Sequence, residues 1–125
     1  MALKPNPVNW FEIPVNDLSR ATKFYETILG TELSLNEMGP MKMAWFPMER
    51  EGSGAGGTLI KAEHYTPSQS GTLIYFSVDN IEDVYNRVDK NGGKTISPKQ
   101  SIGEHGFIAI FQDSEGNRIG LHSMK

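Results

Sequence analysis

Residues 11–30 read FEIPVNDLSRATKFYETILG, and the organisation of the whole chain can be read outward from that run. It opens in strict alternation: Phe11, Ile13 and Val15 take one face of an extended strand, while Trp10 and Glu12 take the other. Asp17 then offers the short acceptor side chain that caps a helix start. From Leu18 to Leu29 the period becomes helical, with Leu18, Ala21, Phe24, Tyr25, Ile28 and Leu29 on one stripe. Gly30 supplies the left-handed exit at which such a helix stops. Strand, cap, helix and glycine form one unit.

The unit occurs twice. Shifted by 63 residues, Val15-Asn16-Asp17-Leu18 falls on Val78-Asp79-Asn80-Ile81, Gly30 on Gly93, and Thr31-Glu32-Leu33 on Lys94-Thr95-Ile96. Two copies at so long a period indicate a duplicated module rather than a solenoid. In the first copy the helix is followed by expected strands at 32–36, 42–48 and 58–62, with the glycine-rich 49–57 as a loop. In the second, Ile74, Phe76 and Val78 face one way, and Leu73, Tyr75 and Ser77 the other. Asn80 caps a helix with the stripe Ile81, Val84, Tyr85 and Val88, and Gly92-Gly93 ends it. Strands at 94–97, 106–112 and 118–123 complete the copy, the last two joined by a turn at 113–116. The expected fold is α+β: one domain of two βαβββ modules, 8–65 and 71–124. They form a curled mixed sheet lining a cleft, with the helices outside.

Bulk composition narrows the function. At 125 residues a single core can bury about two thirds of the unfolded surface. The absence of cysteine excludes disulfides, thiolate metal sites and a thiol nucleophile. A net charge of −3 with scattered lysines and arginines gives no footprint for nucleic acid. No apolar run is long enough for a membrane span, and residues 1–7 lack a signal-peptide core, so the expected address is cytoplasmic. The glycines of 52–57 are not followed by the Gly-Lys-Ser/Thr ending of a phosphate loop, and a flexible hairpin loop is expected there.

The run 11–30 and the closing run FIAIFQDSEGNRIGLH, 107–122, together resemble the vicinal oxygen chelate superfamily. That family includes glyoxalase I, extradiol dioxygenases, and the bleomycin and fosfomycin resistance proteins. The resemblance spans Val8 to Ser123 and implies a U-shaped cleft between paired modules, in which the family's enzymes hold a divalent metal through His, Glu or Gln. It also places the usual ligand positions at Trp10, at Leu73, at Gly120 and near Gly57 or Thr58. Indole, isobutyl and bare glycine cannot donate a lone pair to zinc, nickel or iron. The resemblance therefore implies no metal ligands at those places and no cofactor. The leading reading is a protein that binds a small molecule in a metal-free cleft, as the bleomycin-binding branch does. A second reading is a metal-dependent lyase or isomerase of the glyoxalase type, with displaced ligands such as Glu12 and His122. A protein–protein module is a third. The resemblance further implies a homodimer.

On the expected cleft face, Glu12, His122 and Tyr75 are the candidates for acid–base work. The expected ligand-binding set takes Trp10, Glu12, Leu73 and Tyr75 from the two first strands. His105 and Phe107 join it from the far end of a long connection, 97–106, that can cover the cleft mouth. Gly120 and His122 join it from the last strand. Each has a plainer alternative: Glu12 as a solvated carboxylate, His122 as a lone hydrogen-bonded histidine, and Trp45 and Phe107 as core. His64 reads as a loop residue. Lys61 and Arg118 read equally as solvated strand ends or as holders of a ligand's acidic group.

Overall fold

A computed structural model describes residues 6–125. The first module contains β1 (Trp10–Pro14), α1 (Leu18–Leu29), β2 (Ser34–Met38), β3 (Met41–Trp45) and β4 (Gly56–Lys61). The second contains β5 (Tyr75–Ser77), α2 (Ile81–Val88), β6 (Lys94–Ser101), β7 (Phe107–Gln112) and β8 (Arg118–Ser123). Each makes a four-stranded sheet, in the orders β1-β4-β3-β2 and β5-β8-β7-β6. The pairs β1–β4 and β5–β8 are parallel, and the rest antiparallel. The duplicated grammar of the sequence is thus a duplicated topology.

Both helix starts behave as the sequence requires. The Asp17 carboxylate accepts from the Arg20 N–H at 3.0 Å, and Asn80 accepts from the N–H groups of Glu82 and Asp83. Gly30 takes the left-handed conformation, φ 65°, that lets α1 stop. The second helix ends differently. It stops at Val88, a single 3₁₀ turn succeeds it, and Gly92 at φ 102° rather than Gly93 makes the exit.

β2 lies two residues later than expected and β3 ends at Trp45 rather than 48, and two further stretches depart from expectation. Gly56 and Gly57 belong to β4 rather than to the loop, because β1 pairs with them directly. The strand β6 runs on to Ser101, which shortens the connection expected at 97–106. Pro98 is tolerated there because β6 is a sheet edge with register shifts between Thr95 and Ser97 and between Ser97 and Gln100. A short 3₁₀ turn, Gly103–His105, then leads into β7.

The helices pack against the face of β1 that carries Ile13 and the face of β5 that carries Phe76. Ile13, Val15, Leu59, Ile119 and Leu121 are buried there against Phe24, Tyr25 and Ile28 of α1 and Val84 and Val88 of α2. Phe11, Ile74, Phe76 and Val78 pack on the rim of this core. One core therefore serves both modules, and burial of apolar area at roughly 25 cal/mol per Å² is what joins them.

Polar bonds fix the register of that junction. The turn between β7 and β8 folds on Asp113, whose Oδ1 accepts from the N–H of Glu115 and Asn117 at 2.9 and 2.8 Å. Its Oδ2 accepts from the Tyr25 hydroxyl of the other module at 2.7 Å. The Glu115 carboxylate accepts from the N–H groups of Asn16 and Asp17 at 2.9 and 2.8 Å and from Arg20 Nε at 2.7 Å. Asn117 Nδ2 donates to the Pro14 carbonyl at 2.8 Å, and the Ser68 N–H donates to Asn117 Oδ1 at 3.0 Å. A turn of the second module is thereby bonded to the helix start and first strand of the first.

The two carboxylates titrate in opposite senses. Burial raises the Glu115 pKa, but Arg20, the Asp17 and Asn16 amides and Ser114 outweigh it, leaving the pKa lowered. Burial pushes the Asp113 carboxyl up, against the pull of Tyr25 and Asn117. A lowered acid stabilises the fold above its ordinary pKa, and that contribution fades as pH falls through the lowered value. For Asp113 the sign is reversed: its contribution is present below the ordinary value and fades as pH rises through the raised one. Glu115→Gln keeps the shape and an acceptor for the main-chain donors but sets an amide NH2 against the Arg20 and Ser114 donors. It is expected to cost about 1–3 kcal/mol at pH 7. The deficit should shrink below the ordinary carboxylate range, measured by urea unfolding at pH 7 and pH 3. A deficit that does not change with pH would contradict the ionised role of Glu115.

Candidate functional site

The edge strands β1 and β5 lie next to each other but share no ladder. Phe11 meets Phe76 edge-on across the gap, with ring centroids 5.7 Å apart. Along this seam runs a cavity of about 1060 Å³. Its walls include Trp10, Phe11 and Glu12 from the first module and Leu73, Tyr75 and Ser77 from the second, with the 53–55 loop at one end and, on the helix side, Leu29 of α1 and Asp83, Val84 and Arg87 of α2. A smaller cavity of about 160 Å³ adjoins it toward the clasped end, near Asn117 and Arg118. Both are seam features, made by neither module alone.

Strand register shows which residues share the face turned away from the helices. Trp10, Glu12 and Pro14 stand opposite Gly56, Thr58 and Ile60, and Trp45 stands opposite Thr58. Trp45 is therefore not core. Its ring meets Trp10 edge-on at 5.2 Å, on the helix-free side. In the second sheet Tyr75 pairs with Gly120 and Ser77 with His122, so these residues share the corresponding face. Phe107 does not join them. It pairs with Ser123, faces the helices and packs on the core, with Lys99 Nζ 4.6 Å above its ring.

The structure brings Trp10, Glu12, Leu73 and Tyr75 to the large cavity. Gly120, His122, His105 and Phe107 are not among its wall residues. Gly120 supports it indirectly, because the Tyr75 ring lies flat over the space a side chain there would need. His122 Nε2 bonds the His105 carbonyl at 2.6 Å, the plainer of the two roles open to it, and the His105 ring is largely exposed. No bond links Glu12, His122 and Tyr75 to one another among the described residues. Glu12 is instead near enough to Tyr65 to raise its phenol pKa. No periodic signal marks Tyr65 in the sequence, because it lies in the irregular stretch between β4 and β5.

At the places where the family resemblance sets metal ligands stand Trp10, Leu73, Gly120 and Thr58 with its neighbour Gly57. The Thr58 hydroxyl is buried and bonded to the main-chain carbonyls of Ala44 and Leu59 at 2.8 and 2.7 Å. Among the described residues, no three His, Asp or Glu side chains converge. These residues do not fit a divalent ion.

The description of the matching family model is Glyoxalase/Bleomycin resistance protein/Dioxygenase superfamily, and it covers residues 8–121. The chain belongs to that superfamily. A glyoxylase-like domain-containing protein of Didymella fabae is 32% identical over 114 residues, 88% of each chain. Among solved structures, TnmS3, an antibiotic binding protein from Streptomyces sp. CB03234, superposes with a TM-score of 0.68 at 25% identity, covering 98% of both chains. Glyoxalase I from Zea mays superposes with a TM-score of 0.68 at 22% identity, over 99% of this chain and 48% of that one. The chain thus spans about half the length of the maize protein. No helix is long and apolar enough to cross a membrane among the described residues.

Two glycines in equivalent strands allow a direct check of these contacts. A Cβ at Gly57 would run into the Phe11 ring, and one at Gly120 would run into the Tyr75 ring. Phe11 is hemmed in by Phe46 and Phe76, whereas Tyr75 is 45% exposed and free to swing. Gly57→Ala is therefore expected to lose about 1–3 kcal/mol of stability in urea unfolding. Gly120→Ala should lose much less, while moving Tyr75. Equal losses would show that Tyr75 is not mobile.

Proposed function

We propose that the chain binds a small, flat, largely apolar molecule in the seam between its modules, without a divalent metal. The observation that carries this reading is the cavity itself, at the upper end of the size range of ligand sites. It is walled by aromatic rings from both first strands, with Glu12, Asp83 and Arg87 as charged groups on the same wall. The ligand positions of the family's metal enzymes hold Trp10, Leu73 and Gly120, which have no donor atom, and Thr58, whose hydroxyl is turned to main-chain carbonyls, which favours contact over Lewis-acid chemistry. TnmS3, described as an antibiotic binding protein, lends the reading a precedent in a chain of matching length.

On the same reading the protein is a homodimer acting in the cytoplasm. Leu35 and Met38, 73% and 54% exposed on the edge strand β2, offer apolar surface for self-association. Sedimentation at micromolar concentration should show the dimer, and a monomer alone would count against it.

Calorimetric titration with 4-methylumbelliferone, a flat bicyclic phenol, tests the binding reading. Binding is expected, Trp10→Ala should weaken it about tenfold through loss of ring contact, and EDTA should leave it unchanged. Absence of binding, or its loss on chelation, would overturn the proposal.

A further inference from the structure

The two cavities share three wall residues, Glu12, Thr72 and Ile74, so they adjoin along one wall. The large part holds all the aromatic rings, those of Trp10, Phe11, Phe46, Tyr75 and Phe76, beside the charged Asp83 and Arg87. The small part has no aromatic residue in its wall: the hydroxyl residues Thr66, Ser68, Ser70 and Thr72, with Arg118 and Glu12, stand beside the apolar Ile13, Pro14, Ile74 and Ile119. Its volume of about 160 Å³ equals roughly five waters at liquid density, the scale of a single sugar ring.

Charge decides what that small part prefers. Arg118 makes no ion pair or side-chain hydrogen bond among the described residues, and it is not paired with Glu12 although both line the same wall. A cationic head group would meet the guanidinium, and an anionic one would meet the carboxylate. A neutral group bearing several hydroxyls suits both, donating to Glu12 and accepting from Arg118. Ser68 and Ser70 hold each other, Oγ to Oγ at 3.0 Å, while Thr66 and Thr72 make no side-chain hydrogen bond among the described residues. Resting on binding in the seam, we propose that the ligand has two parts: a flat aromatic body in the large cavity and a neutral polyhydroxylated ring in the small one. The class is that of aryl glycosides.

Calorimetry with four probes tests this. They are 4-methylumbelliferone, its β-glucoside, its phosphate and methyl β-glucoside. The β-glucoside should bind at least tenfold tighter than 4-methylumbelliferone, and methyl β-glucoside far more weakly than either. Arg118→Ala and the near-isosteric Thr66→Val should each remove that gain and leave 4-methylumbelliferone affinity unchanged, with melting temperatures near that of the parent. A glucoside no tighter than 4-methylumbelliferone would overturn the two-part ligand and leave binding in the seam standing. A phosphate tighter than the glucoside would overturn the neutral head group. Failure of both 4-methylumbelliferone and its glucoside to bind would overturn the inference and the seam site together.

Discussion

A buried carboxylate sets the geometry on which the rest of the molecule depends. Glu115 gathers the first amides of the other module's helix and the Arg20 guanidinium, while Asp113 takes the Tyr25 hydroxyl. Removing these acceptors would strand the buried Tyr25 hydroxyl and release the partly buried donors at Asn16, Asp17 and Arg20, which is why the bonds specify register as well as add stability. Apolar burial brings the modules together, but it tolerates sliding. The clasp does not.

The duplication makes the other end of the seam informative. The turn between β7 and β8 corresponds to the longer connection between β3 and β4, residues 46–55. No side chain of that connection bonds the start of α2 among the described residues. The large cavity occupies this end, bounded by the 53–55 loop and by Asp79 and Asn80. A repeated design has been closed on one side and left open on the other. Binding space and module clasp are two outcomes of one repeated position.

Much of this was legible in the residues. Alternation at Phe11, Ile13 and Val15 marked the core face, Asp17 and Asn80 the helix starts, and the repeat the paired sheets. Legibility failed where local patterns mislead. Gly56 and Gly57 look like loop residues, but β1 pairs with them, and Gly57 is kept small by the Phe11 ring. Trp45 looks like core, yet the strand register turns it to the Trp10 side. Phe107 has the opposite fate, since its place opposite Ser123 turns it inward. The small polar cavity was invisible, because Thr66, Ser68 and Ser70 carry no periodic signal and converge only through the irregular connector. The turn at 113–117 was readable as a turn but not as a clasp, since nothing local says that its carboxylates reach residues almost a hundred positions away.

The most direct measurement maps amide and indole shifts of ¹⁵N-labelled protein during titration with 4-methylumbelliferone. A seam site predicts perturbations on both walls together, at Trp10, Phe11 and Glu12 and at Leu73, Tyr75 and Ser77, with β2 and β6 quiet. Shifts confined to one module, or centred on the outer edge strands, would contradict a binding site built between the two.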